Sequence, residues 1–142
     1  MKQKHIYAYM KIAEVYAQLS SAKRLQVGCY IVREEDHKPI SDGYNGTPEG
    51  WDNVCEDENN KTKPEVLHAE HNALTKIAKS TESSKDAIMF LTHTPCINCA
   101  KMIAECGIKT LYYQQKYGTD EGLVYLTKAG VEVIKLYREY PA

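Results

Sequence analysis

Two short stretches of this sequence place metal-binding side chains beside a lone carboxylate. His68 stands two residues before Glu70, and Cys96 and Cys99 form the pair in Pro95-Cys96-Ile97-Asn98-Cys99. One imidazole and two thiolates suit zinc, and three protein ligands leave a fourth position for water, the arrangement of a catalytic rather than a structural ion. Zinc lowers the pKa of bound water to about 7, so hydroxide becomes available near neutrality without a strong base. Glu70, on the same helix turn as His68, is placed to reach that water rather than the ion, and is the candidate general acid and base. The competing reading is a structural zinc closed by a fourth protein ligand, with Cys55 as the candidate; the Glu70 beside His68 argues against it.

For the three ligands to meet, the elements carrying them must converge. Apolar residues recur at helical spacing from Ile6 through Met10, Ala13 and Ala17, so the chain opens with an amphipathic helix. Residues 27–32 form a short apolar run, 33–38 a charged turn and 39–44 a second extended run, together a hairpin. The Gly-, Asn- and Pro-rich stretch 45–64 reads as a long irregular surface loop, a length often tied to function. Beyond it the pattern alternates: a helix over 68–79, a strand over 87–92, a helix over 96–106 stopped by Gly107, a strand over 108–113, a helix over 121–129 and a strand over 131–137. Strands alternating with helices imply a largely parallel sheet covered on both faces, with the hairpin as an antiparallel edge. The expected fold is therefore α/β, a three-layer α/β/α sandwich with a mixed five-stranded sheet. Both ligand-bearing helices would start at the same edge of that sheet.

Length and charge narrow the function classes. A chain of 142 residues with 43% hydrophobic content buries one core and not two, so 1–142 is expected to be a single domain. The net charge of −1 comes without a basic tail or patch, which disfavours capture of a polyanion. Lysines and tyrosines interrupt the apolar residues of the first 19 positions, unlike a secretory or membrane-spanning segment, so a cytoplasmic location is expected. In a reducing compartment five cysteines point to metal rather than to disulfides. Cys29 and Cys106 fall where small apolar side chains are wanted and are assigned to packing.

The pairing of His-x-Glu with Pro-Cys-x-x-Cys resembles the signature of zinc nucleobase deaminases. Across nearly the whole chain the sequence resembles the deoxycytidylate (dCMP) deaminase family, through Gln26-Val27-Gly28, Gly43-Tyr44-Asn45-Gly46, His68-Ala69-Glu70-His71-Asn72-Ala73 and Thr94-Pro95-Cys96 onward to Gly107-Ile108-Lys109. The resemblance implies hydrolysis of dCMP to dUMP and ammonia, with Glu70 carrying protons while C4 of the base gains a hydroxyl. It implies contact of Asn45 with the sugar or phosphate, packing of Val27 on the pyrimidine, and reading of the base edge by the Ala69 amide and the Thr94 carbonyl. Arg24, Lys116 and Tyr117 stand where phosphate contacts are expected, and the planar fork of Arg suits phosphate.

The same resemblance implies a homo-oligomer, hexamer or dimer, activated by dCTP and inhibited by dTTP, with Mg2+ accompanying such an effector. The run Glu56-Asp57-Glu58 could hold that magnesium, but a solvated loop is the preferred reading. His5, His37, His71 and His93 are assigned to the surface or to a supporting role. A second, structural zinc is not expected, Cys55 being the one loop candidate. Three alternatives stay open: dCTP or a modified cytosine nucleotide as substrate, a base within tRNA or single-stranded nucleic acid, and a zinc-stabilised interaction module without activity.

Overall fold

The structure, a computed structural model, describes residues 1–137. The first helix, α1 (Gln3–Ala17), buries Ile6, Tyr7, Met10 and Ala13, the spacing of a single apolar stripe. It starts three residues before the apolar period because Gln3, Lys4 and His5 continue the backbone pattern without contributing to that stripe. The hairpin follows as β1 (Gly28–Val32) and β2 (Pro39–Tyr44), then α2 (Ala69–Ala78), β3 (Ile88–His93), α3 (Ile97–Glu105), β4 (Thr110–Gln115), α4 (Glu121–Lys128) and β5 (Glu132–Lys135). The five strands form one sheet in the order β2-β1-β3-β4-β5, antiparallel from β2 to β3 and parallel from β3 to β5. This is the mixed sheet that the alternating pattern implies.

Strand alternation divides the core into two layers. Cys29, Ile31, Met89, Leu91 and Leu111 face one side, where they pack with Ala73, Leu74 and Ile77 of α2, Ala100 and Ile103 of α3 and Leu126 of α4. Tyr30, Val32, Ile88, Phe90 and Tyr112 face the other, where α1 covers them. Phe90 and Tyr112 stack there with ring centroids 5.1 Å apart.

The strands start later than the apolar runs suggest, because some buried residues belong to turns. Ile108 is buried, yet its N–H closes the end of α3 on Ile103 O at 3.4 Å. Val131 is buried in the same way, bonded to Leu126 O at 2.9 Å. The ladder therefore begins at Thr110 and at Glu132, beyond the apolar residue that marks each run.

Topology puts the two motifs together. The chain leaves α2 to enter β3 and leaves β3 to enter α3, so both helices have their N-termini at the carboxyl end of β3. The approach is close enough to require glycine in two places. A Cβ on Gly43 of β2 would lie 2.4 Å from Ala69 O in the first turn of α2, and one on Gly122 of α4 would lie 2.2 Å from Pro95 O. Both carbonyls belong to rigid backbone, so neither can give way cheaply.

Candidate active site

His68 is the N-cap of α2 and Cys96 the N-cap of α3, each with extended backbone just before the first helical residue. Neither is a preferred capping type, and the Cys96 sulfur compensates in part by accepting the Cys99 N–H at 3.5 Å. The caps aim both side chains into the gap between the helices. His68 Nδ1 lies 3.3 Å from Cys99 Sγ and 3.7 Å from Cys96 Sγ, and the three atoms all lie within 4.8 Å of one another. A tetrahedral zinc with ordinary Zn–N and Zn–S bonds separates a nitrogen from a sulfur ligand by ~3.6 Å, so the cradle fits that ion. Among the described residues no fourth His, Cys, Asp or Glu ligand atom joins the group. Cys55 is buried elsewhere, with its sulfur 3.5 Å from Ser21 Oγ.

Protonation chemistry fits as well. Desolvation, followed by the neighbouring His71, lowers the pKa of His68 and favours the neutral ring that ligates a metal. Burial pushes the Cys99 thiol well up, with the charges of Glu70 and Cys96 adding to it, so its thiolate is favourable only against a cation. Glu70 is 4% exposed, and burial lifts its carboxyl to about 7 against an ordinary value of 4.5; only its own backbone N–H opposes the shift. A buried acid poised near neutrality both accepts and returns protons.

These groups open into one cleft of about 740 Å³, the solvent at its mouth included. His68, Glu70 and Cys96 line it together with Val27, Asn45, Ala69, Thr94, Arg24 and Tyr117, all expected from the sequence. Cys99 sits behind, in the recess between the helix starts. Lys116 is the exception: it is exposed, its ammonium 3.6 Å from Asp120, and it is not part of the cleft wall. Asn45 is drawn partly away from a ligand role. Its Oδ1 accepts the Val27 N–H at 2.8 Å and its Nδ2 donates to Leu25 O at 2.8 Å. Thr94 and Tyr117 are tied together, the Thr94 hydroxyl donating to Tyr117 O at 3.1 Å and accepting the Tyr117 N–H at 2.9 Å.

Asp57 and Glu58 are exposed, as a solvated loop requires, but Glu56 departs from that reading of the acidic run. It is 8% exposed, it lines the cleft, and its Oε2 accepts the N–H groups of Lys23 at 2.9 Å and Arg24 at 3.2 Å. Leu25, Thr62 and His93 are further wall residues that the motifs did not mark. No local sequence signal distinguishes Glu56 from Asp57 and Glu58, since its burial depends on loop packing over 30 positions.

Five strands in this order, with metal ligands at two adjacent helix starts, define the architecture of the zinc-dependent deaminases. The zinc-binding region model of cytidine and deoxycytidylate deaminases matches residues 3–115. In solved structures the chain is similar to the dCMP deaminase of cyanophage S-TIM5, crystallised with dCMP and dUMP: 46% identity, TM-score 0.93, covering 96% of this chain and 99% of that one. Among curated proteins it is 37% identical to ComE operon protein 2 of Bacillus subtilis, over 78% of this chain and 59% of that one. It is 33% identical to deoxycytidylate deaminase of Saccharomyces cerevisiae, over 88% of this chain and 42% of that one. The chain thus spans about half the length of these two curated relatives. It belongs to the cytidine and deoxycytidylate deaminase family.

Proposed function

We propose that this chain hydrolyses dCMP to dUMP and ammonia, with His68, Cys96 and Cys99 holding one zinc ion and Glu70 moving the protons. The observation that carries the reading is the three-ligand cradle with a buried carboxyl beside it, both opening into a cleft that also presents Arg24. Zinc bound there supplies the Lewis acidity that makes a hydroxide nucleophile available near pH 7. The reaction forms a C4–O bond and breaks the bond from C4 to the exocyclic nitrogen. Glu70 takes the proton released by the attacking water and delivers it to N3 of the ring, then takes the proton of the new C4 hydroxyl and passes it to the departing amine, which leaves as ammonia.

The remaining wall orients the nucleotide. Ala69 is the first residue of α2, so its N–H has no partner within the helix and is free for the base edge. The Thr94 carbonyl stands across from it in this reading, and Val27 packs on the pyrimidine. Asn45 keeps one amide proton beyond its bond to Leu25 and offers it to a sugar or phosphate oxygen. Arg24 supplies the fork for the phosphate, with Tyr117 beside it.

The reading extends to a single deaminase domain over 1–142, of which 138–142 lie outside the described residues. It also extends to a homo-oligomer, to regulation by dCTP and dTTP with Mg2+ on the effector, and to a cytoplasmic location. No helix among the described residues is long and apolar enough to cross a membrane. Ammonia release from CMP, dCMP, dCTP and deoxycytidine, each with and without added dCTP, tests the substrate. Turnover confined to an oligonucleotide sinks the assignment.

A further inference from the structure

Residues 22–27, between α1 and β1, form an irregular strap that contributes Ala22, Arg24, Leu25 and Val27 to the cleft wall. With no ladder of its own, this strap is held by Ser20 before it, which takes the Ala22 N–H at 3.2 Å and Gln26 Nε2 at 2.8 Å, and by the following loop. Asn45 grips its far end through Leu25 O and Val27 N–H. Glu56 grips its near end, one carboxylate oxygen accepting two successive N–H groups, those of Lys23 and Arg24. The hold is itself braced: Glu56 pairs across an isolated bridge with Thr62, and Lys63 N–H donates to Cys55 O at 2.8 Å. From the same loop the Thr62 hydroxyl accepts a long, exposed bond from Arg24 Nη1 at 3.4 Å, so both backbone and guanidinium of Arg24 touch this one segment.

From this geometry we infer that Glu56 is a positioning residue for recognition of the nucleotide's phosphate, acting through Arg24 and not through the base. The inference rests on the phosphate role proposed for Arg24. A carboxylate accepting two backbone N–H groups is among the stronger hydrogen-bond arrangements in a protein. Its bonds to the two amides also explain why a buried acid is tolerated in a cleft meant for an anion: Glu56 is committed to the strap, and Arg24 presents the charge. Loss of Glu56 frees the Lys23 and Arg24 amides and lets the guanidinium swing towards solvent. The far side of the cleft, where the base meets Ala69 and Glu70, stays as it is.

The test is binding of dUMP and of deoxyuridine, which differ only in the phosphate, measured by titration calorimetry on zinc-loaded protein. Wild type binds dUMP more tightly than deoxyuridine. Glu56→Ala is expected to weaken dUMP by about tenfold while deoxyuridine changes by less than about twofold, and Glu56→Gln, which keeps an acceptor, to recover most of the loss. In an Arg24→Ala background the Glu56→Ala change should add little, since the two act as one unit. Should Glu56→Ala fail to fold, Glu56→Asp, too short to reach both amides, gives the same split in weaker form. Equal losses for the two ligands, additive losses with Arg24→Ala, or a wild type indifferent to the phosphate each overturn the inference. Wild type that shows the split but releases no ammonia from dCMP refutes the proposed reaction instead and leaves this role standing.

Discussion

At the scale of single residues, the site gathers side chains whose ordinary chemistry the fold has altered. Glu70 pays for its position with a carboxyl that burial holds protonated up to about pH 7. In metal-stripped protein this has a definite sign. Between its ordinary value of 4.5 and about 7 the unfolded chain releases this proton and the folded chain does not, so stability falls as pH rises through that window. Glu70→Gln cannot ionise and escapes the loss. It is expected to raise the stability of the stripped protein at pH 8 by about 3 kcal/mol, and by nearly nothing at pH 4, as read by urea unfolding. In zinc-loaded protein the same substitution should cut ammonia release from dCMP by ~10²-fold or more while leaving zinc content at one ion per chain. Turnover within tenfold of wild type would remove Glu70 from the mechanism.

At the scale of elements, the question is how two helix starts are brought to one point. Gly122 is the tightest fit near the cradle: an added Cβ would lie 2.2 Å from Pro95 O and 3.2 Å from Cys96 O. Gly122→Ala must therefore push α4 away from the turn that holds Cys96. The expected cost is about 3 kcal/mol, at the upper end for overpacking because the opposing atoms are backbone, with a matching loss of zinc affinity in a chelator competition. A variant that melts and binds zinc as wild type does would mean the helices adjust more freely than this contact allows. Much of this level was legible in the sequence. The apolar periods placed all nine elements of the described residues, and the motifs placed His68, Glu70, Cys96 and Cys99 at helix starts, because those signals are local. Gly122 and Glu56 carry no local mark. One matters through a carbonyl 27 residues away, and the other through amides 32 and 33 residues away, distances that only the folded chain closes. Lys116 shows the reverse: its position after β4 suggested a phosphate contact, but its side chain turns to Asp120, further along the same connection to α4.

At the scale of the whole molecule, the metal cradle and the hydrophobic core are separate structures, and that separation has a testable result. The core lies on both faces of the sheet: one layer is sealed by α2, α3 and α4, the other by α1. None of the three ligands belongs to either layer; His68 and Cys96 are exposed, and Cys99 is the one that is buried. This differs from small zinc domains, in which the ion stands in for a core too small to hold the chain together. Chelation is therefore expected to abolish ammonia release while far-UV circular dichroism keeps its folded signal. The melting temperature should drop only by the linkage term of the lost ion, and should rise again with free zinc in proportion to the logarithm of its concentration. Readdition of one equivalent should restore activity without a refolding step. If the stripped chain instead loses its circular dichroism signal at room temperature, the ion is holding the sheet and helices together, and the open catalytic cradle argued from His68, Cys96 and Cys99 is a structural site.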